Sequence, residues 1–232
     1  MILRYEITTR LVRLAEKLFN LRLVNFYRSV GFAPSTVIDV GANRGQSVRM
    51  FKRLNQDCSI HALEPCKQSF HALVSSGFAG TTCYNFAASD LNGFRLLREC
   101  VFDETSTLEK CADDSRYAKT KAFALGSELY VDSYMVKCVK LCDFIKTIGG
   151  GKIDLIKIDA EGHEYAVLKG LFSGAKHGVE RIQVEVHDND QYAVPDLREI
   201  TRLVEENGYR LEKKIRHYFG SFYELIFRKE TR

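Results

Sequence analysis

Short apolar runs alternate with amphipathic stretches from residue 36 to residue 206, and this rhythm constrains the fold more than any other feature of the chain. Thr36-Val-Ile-Asp-Val40 reads as a strand, followed by a glycine-bearing turn and an amphipathic stretch through Leu54. Ser59 to Glu64 is the next strand and Lys67 to Ser76 the next helix, and Cys83 to Ala88 reads as a third strand. Ile153 to Ile158 and Arg181 to Val186 are two more, with helical sequence between them from about Glu164. Strands and helices alternating at this spacing predict βαβ units built on a parallel sheet. The end of the chain departs from the rhythm. Pro195 to Asn207 looks helical and stops at Asn207-Gly208, a helix C-terminal signal. Tyr209–Ile215 and Phe222–Arg228 then predict a hairpin through Gly220, which places antiparallel strand at one sheet edge. The expected architecture is α/β: a Rossmann-like, mostly parallel sheet of about seven strands.

At 232 residues, 45% of them hydrophobic, the chain is long enough to bury a full core. That composition excludes disorder and disulfide-dependent mini-folds. No run approaches the roughly 18 consecutive apolar residues of a spanning helix. The seven cysteines (58, 66, 83, 100, 111, 138 and 142) are odd in number and form no Cys-x-x-Cys pair. They read as small core residues in a reducing compartment rather than as a disulfide framework or zinc site. Together with the lack of a secretory signal, this predicts a cytoplasmic protein.

Residues 1–32 carry six Lys/Arg against two acids, which accounts for the whole formal net charge of +4. Because the body is neutral, no nucleic-acid footprint is expected. Within this segment Leu3, Ile7, Leu11, Leu14, Leu18 and Leu21 recur at helical spacing. The stripe predicts an amphipathic N-terminal extension that either packs on the domain of residues 33–232 or rests on an anionic membrane surface. Residues 103–137 are polar and weakly periodic, and read as an irregular insertion or lid.

Asp39-Val-Gly41-Ala-Asn43-Arg-Gly45 closes the first strand and opens the first helix. The spacing is DxGxxxG, not the GxGxxG of a dinucleotide site. An acid at the head of the turn disfavours a phosphate and suits a ligand that carries a cationic amine. Nineteen residues beyond Gly45, Glu64 ends the second strand, placed to accept hydrogen bonds from ribose hydroxyls or else to cap the following turn. The two features together point to S-adenosylmethionine rather than NAD.

Val37 to Gly45, Leu63-Glu-Pro65, Ala87-Ala-Ser-Asp90, Ile153 to Glu164, Val167-Leu-Lys-Gly170 and Val184-Glu-Val-His187 resemble the FkbM-type methyltransferases. The resemblance covers roughly residues 36–228, and its most specific block is Asp159-Ala-Glu-Gly-His-Glu164. It implies a class I S-adenosylmethionine-dependent methyltransferase fold and O-methylation of hydroxyls on glycans or natural products. With it, Asp39, Gly41, Asn43, Gly45 and Glu64 are expected to bind the cofactor, and Ser89 and Asp90 to flank the adenine. Asp159, Glu161 and His187 are the candidates for contact with the reacting groups, one of them as general base. Glu185 lies two residues before His187 on the same strand and shares its face. This acid-and-imidazole cluster is also compatible with Mg²⁺ or Mn²⁺. Glu164 is expected to favour its helix N-terminus electrostatically, and His163 to be exposed. A scaffold that has lost catalysis and an N-methyltransferase are the alternatives. The crowded acids argue against the first, and the lack of an Asn/Asp-Pro-Pro-Tyr signature against the second.

Overall fold

The computed structural model describes residues 19–100, 106–109, 130–174, 178–187, 197–217 and 222–230. After a helix over 19–29 (α1), the order is β1 (Thr36–Val40), α2 (Gln46–Leu54), β2 (Ser59–Leu63), α3 (Lys67–Ser75), β3 (Thr81–Tyr84), β4 (Ala87–Ser89) and β5 (Gly93–Cys100). There follow β6 (Tyr130–Lys140), α4 (Leu141–Thr147), β7 (Ile153–Ile158), α5 (Glu164–Phe172), β8 (Val179–His187), α6 (Leu197–Glu206), β9 (Tyr209–Arg216) and β10 (Phe222–Lys229).

Seven strands form the main sheet in the order β3-β2-β1-β7-β8-β10-β9. The first five run parallel, and β10 is antiparallel to both β8 and β9. The expected mostly parallel sheet with an antiparallel edge is therefore the observed one. Its central strand β7 is buried at every position, as a strand covered on both faces must be.

Alternation along the strands divides the interior in two. On one face Ile38, Ile156, Ile158, Val184, Leu225 and Phe227 pack with α4, α5 and α6. On the other, Val37, Ile60, Leu155 and Ile226 meet α1 and α2. The α1 helix buries Phe19, Leu23, Val24 and Tyr27, and the Tyr27 hydroxyl donates to Gln183 Oε1 at 2.5 Å. Leu21, expected on the buried stripe, is instead 46% exposed. The packed face is aromatic and offset from the leucine series, because a sheet face rich in polar groups rewards Tyr27, which brings both a ring and a donor. The rest of the leucine series, and with it most of the predicted membrane-facing surface, lies outside the described residues. No helix among the described residues is long and apolar enough to cross a membrane.

Two further expectations need correction. Cys83–Ala88 is not one strand: β3 ends at Tyr84 in the main sheet, and β4 belongs to a second, three-stranded sheet of order β4-β6-β5. The break is made by Asn85, whose amide donates to the carbonyls of Glu64 and Pro65 and turns the chain aside. Part of the supposed irregular insertion is also regular, since β6 begins at Tyr130 and pairs along β5 from Gly93 to Cys100. Its pattern is hard to read because Leu97, Val136 and Cys138 point inward while Phe94, Leu96 and Met135 are exposed, so both faces carry apolar residues. Residues 103–105 and 110–129 of that insertion lie outside the described residues.

Gly170 joins the two sheets. A Cβ there would lie 1.8 Å from the Ser89 carbonyl oxygen, so α5 can approach β4 only without a side chain. In an exposed helix Gly→Ala stabilises by about 1 kcal/mol. Here Gly170→Ala is expected to reverse that sign and destabilise by roughly 1–3 kcal/mol through overpacking, read as a lower urea midpoint at unchanged slope.

Candidate active site

The carboxyl ends of β1, β2, β3 and β7 are tied side by side. Gly41 and Ala42 amides donate to the Leu63 carbonyl, Glu64 donates to Tyr84, and Asp159 donates to Val40. Above this edge opens a cleft of about 610 Å³, open solvent included, whose walls include Gly41, Asn43, Glu64, Asp159, Glu161 and His163. Ligands of open α/β sheets bind at this position, outside the strand ends where neighbouring connections diverge.

Gly41 has φ +74, and a Cβ on it would lie 1.7 Å from the Asp159 carbonyl oxygen, so the turn after β1 presses directly on β7. Gly45 does not reach the cleft wall: its role is to let the start of α2 pack on Phe78, 2.5 Å from where a Cβ would sit. Asn43 adopts φ +46 and lines the cleft, and its Oδ1 is buried with no hydrogen-bond partner among the described residues.

Glu64 is 6% exposed, and its two oxygens accept the amides of Asn43 and Cys66, each at 2.8 Å. It thus caps the turn and lines the cleft at once. Burial pushes its carboxyl up to about 7, against the pull of those two amides. Asp39, by contrast, is fully buried beneath the cleft. It accepts a short hydrogen bond from the Ser47 hydroxyl and lies 3.8 Å from the Lys157 ammonium. Burial raises its pKa in spite of both partners.

On the opposite wall Asp159 accepts from Lys157 Nζ at 2.9 Å. Burial works against the charge on Lys157, but Asp159 and Asp39 outweigh it and raise the lysine pKa. Lys157 was not among the residues singled out from the sequence, although Lys in the middle of an apolar strand run was the available signal. The next turn is held from three sides. Glu161 sits in the left-handed region at φ +49, and its carbonyl accepts from Thr107 Oγ1 at 2.6 Å. Glu164 Oε1 accepts the amides of Ala160 and Gly162, so its carboxylate folds back over the helix start as expected.

His163 is 1% exposed, not exposed as expected. Its Nδ1 faces Glu109 Oε1 at 2.6 Å and its Nε2 faces Ser89 Oγ at 2.9 Å. The hydrogen bond to His163 holds the Glu109 carboxyl below its usual range. Ionised, Glu109 can only accept, so Nδ1 carries a proton. Ser89 is fully buried behind the cleft wall, where its hydroxyl also lies 3.2 Å from Asp90 Oδ1, and Asp90 is paired with Arg95. Ala87 and Ala88, rather than Ser89 and Asp90, face the cleft. Of the expected acid-and-imidazole cluster, Asp159 is engaged by Lys157, and the His187 side chain lies outside the described residues. Among the described residues, the group of three His and acid side chains whose ligand atoms all lie within 4.8 Å of one another is Glu185, His217 and Glu224.

The Methyltransferase FkbM domain model matches residues 39–211, more than half of the chain. The chain belongs to the FkbM methyltransferase family. The matched span runs from Asp39 through both walls of the cleft. Among solved structures, the chain is similar to the magnesium protoporphyrin IX methyltransferase of Synechocystis PCC 6803 with bound SAH. The TM-score is 0.51 at 11% identity, covering 93% of this chain and 82% of that one. It is similar also to a Pyrococcus horikoshii protein described as an RNA methyltransferase, with a TM-score of 0.50 at 12% identity, covering 91% and 83%. At such identities these likenesses bear on the fold alone. No curated protein sequence matches the chain.

The raised Glu64 carboxyl predicts a pH dependence. With a folded pKa of about 7 against an ordinary 4.5, the folded state holds a proton that the unfolded chain releases. Its stabilising contribution is therefore complete below about pH 4.5 and lost as pH rises through about 7, a change of roughly 3 kcal/mol. Urea midpoints between pH 5 and pH 8 should fall less steeply in Glu64→Gln than in the parent.

Proposed function

We propose that the cleft binds S-adenosylmethionine and that the enzyme passes its methyl group to a hydroxyl of a saccharide or similarly polar metabolite. The observation that carries the reading is Glu64, a carboxylate held on the cleft wall at the end of β2, one strand away from the Gly41 turn. Its oxygens accept backbone amides and keep lone pairs directed at the cleft, as recognition of a ribose diol requires. The unpartnered Asn43 Oδ1 supplies a further acceptor. Leu63, Pro65, Phe86, Leu97 and Leu108 offer apolar surface for a purine. Because Ser89 and Asp90 lie behind that surface, they support the adenine wall rather than touch the base.

S-adenosylmethionine supplies an electrophilic methyl group. The chain's own part is to align the acceptor and take its proton. Asp159 and Glu161 stand on the wall opposite Glu64, where their oxygens can accept a hydrogen bond from an acceptor hydroxyl and hold it in line. Lys157 restricts the Asp159 carboxylate, and the tethered turn fixes the backbone of Glu161. A neutral hydroxyl needs such acceptors, which favours O-methylation of a sugar-like substrate.

Calorimetry with S-adenosylmethionine and with NAD tests the cofactor: binding of NAD without S-adenosylmethionine would overturn the reading. Glu64→Ala is expected to weaken S-adenosylmethionine binding by roughly 1–3 kcal/mol. Since the ribose needs the ionised carboxylate, affinity in the parent should climb as pH approaches about 7 and then level off. Comparing glycans and metabolites from cells with and without the protein, for species that differ by one CH₂, identifies the acceptor.

A further inference from the structure

Beside the cleft, under the N-terminal end of the described part of α1, three side chains converge that neither the cleft nor the proposed chemistry uses. Glu185 on β8 and Glu224 on β10 are direct cross-strand partners. Like charges in that position repel, so both carboxyls can be ionised together only with something positive between or beside them. His217 leaves the end of β9 and places Nε2 3.5 Å from Glu185 Oε2. Its ring is stacked on Phe19 of α1 at 3.4 Å between centroids and meets Phe222 at 4.2 Å, which holds the imidazole in one orientation. One donor atom from each of Glu185, His217 and Glu224 lies within 4.8 Å of the other two. Glu224 is 2% exposed, and its Oε2 has no hydrogen-bond partner among the described residues.

We propose that Glu185, His217 and Glu224 form a binding site for a first-row divalent cation, of the class of Zn²⁺ or Mn²⁺. Tetrahedral ligands at about 2.1 Å from such an ion stand about 3.4 Å apart, close to the observed spacing of His217 and Glu185. Two carboxylates and one imidazole form a mixed oxygen–nitrogen set that suits these ions better than Ca²⁺ or Mg²⁺, which favour all-oxygen ligation. Charge balance points the same way. The fields of Asp39, Asp159, Glu185 and Glu224 overlap around Lys157, whose ammonium is directed at Asp159 and Asp39. One ammonium cannot balance four ionised acids, and a divalent ion at Glu185 and Glu224 would let both ionise where Lys157 does not reach directly. The ion would pin β10 and the end of β9 to β8 beneath α1, next to the acceptor side of the cleft.

The test uses the full chain, stripped with chelator and dialysed. Mn²⁺ is followed by the loss of its free-ion electron paramagnetic resonance signal, and Zn²⁺ by calorimetry. One ion per chain is expected. Glu224→Gln and His217→Ala should each weaken binding by more than the roughly 10–100-fold typical of losing an outer-shell partner. Asp143→Asn, at an exposed acid paired with Lys146, should leave it unchanged. Glu224→Gln also removes the cross-strand repulsion, so the stripped variant should unfold at a temperature no lower than the stripped parent. Loss of binding in that variant cannot then be assigned to unfolding. Failure of the parent to bind either ion at about a millimolar, weaker than any structural site, would overturn the proposal. So would binding that survives unchanged in both Glu224→Gln and His217→Ala.

Discussion

The buried ammonium of Lys157 is the interaction on which the rest of the active edge depends. It lies on the α1 side of the central strand, in register with Asp39 on β1 and with Gln183 on β8. Removing charges from water costs several kcal/mol per ion, and such an arrangement persists only when partners are close and oriented. Asp159 at 2.9 Å and Asp39 at 3.8 Å provide them, and Ser47 and Tyr27 extend the hydrogen bonding to α2 and α1. One face of the sheet is thus polar at its centre and roofed by helices that bring hydroxyl groups, while the other is mainly apolar, with Asp154 and His61 among its polar members. The two faces do different work: the apolar one supplies most of the burial, and the polar one sets the charge beneath the cleft.

That charge is less negative than the number of acids suggests. Glu64 and Glu224 both have carboxyls pushed up to about 7 by burial, and Glu185 is raised as well. Burial keeps the carboxyls beyond the capacity of one lysine from ionising, and they ionise most readily beside a positively charged occupant, which a phosphate-bearing one is not. The preference for a sulfonium cofactor over a dinucleotide therefore has two independent supports, the charge of the floor and the spacing of the Asp39–Gly45 turn.

Much of this architecture was legible in the sequence because the parallel strands are covered on both faces and read as near-continuous apolar runs. The cleft walls were legible for the same reason: Gly41, Asn43, Glu64, Asp159 and Glu161 follow strand ends, and strand ends are easy to locate. What escaped was set by long-range pairing. Asp39 and Glu64 look alike as acids near strand ends. Yet Asp39 lies within its strand, one residue before the end, and points down into the sheet, whereas Glu64 follows the last strand residue and reaches the cleft. The second sheet escaped because its long strands carry apolar residues on both faces and are separated by a long polar stretch. The burial of His163 depends on Ser89, 74 positions away, and Glu109, 54 positions away, distances over which no local pattern carries information.

The Asp159–Glu164 turn shows how those long-range contacts serve the chemistry. A non-glycine residue at φ +49 costs energy, and Glu161 holds that conformation because its surroundings over-determine it. Thr107 grips its carbonyl, Glu164 gathers the amides on either side of it, and His163 anchors the turn between Glu109 and Ser89. Two of these restraints, Thr107 and Glu109, come from the short segment of residues 106–109, which pairs with Arg98 of the second sheet through Thr107. The small sheet is therefore the platform from which the Asp159–Glu164 turn is aimed. Glu161 is fixed from outside the parallel sheet, and Leu97 and Leu108 of the same small-sheet assembly also line the cleft, so a change in the small sheet re-aims the Asp159–Glu164 turn and reshapes the apolar part of the cleft with it.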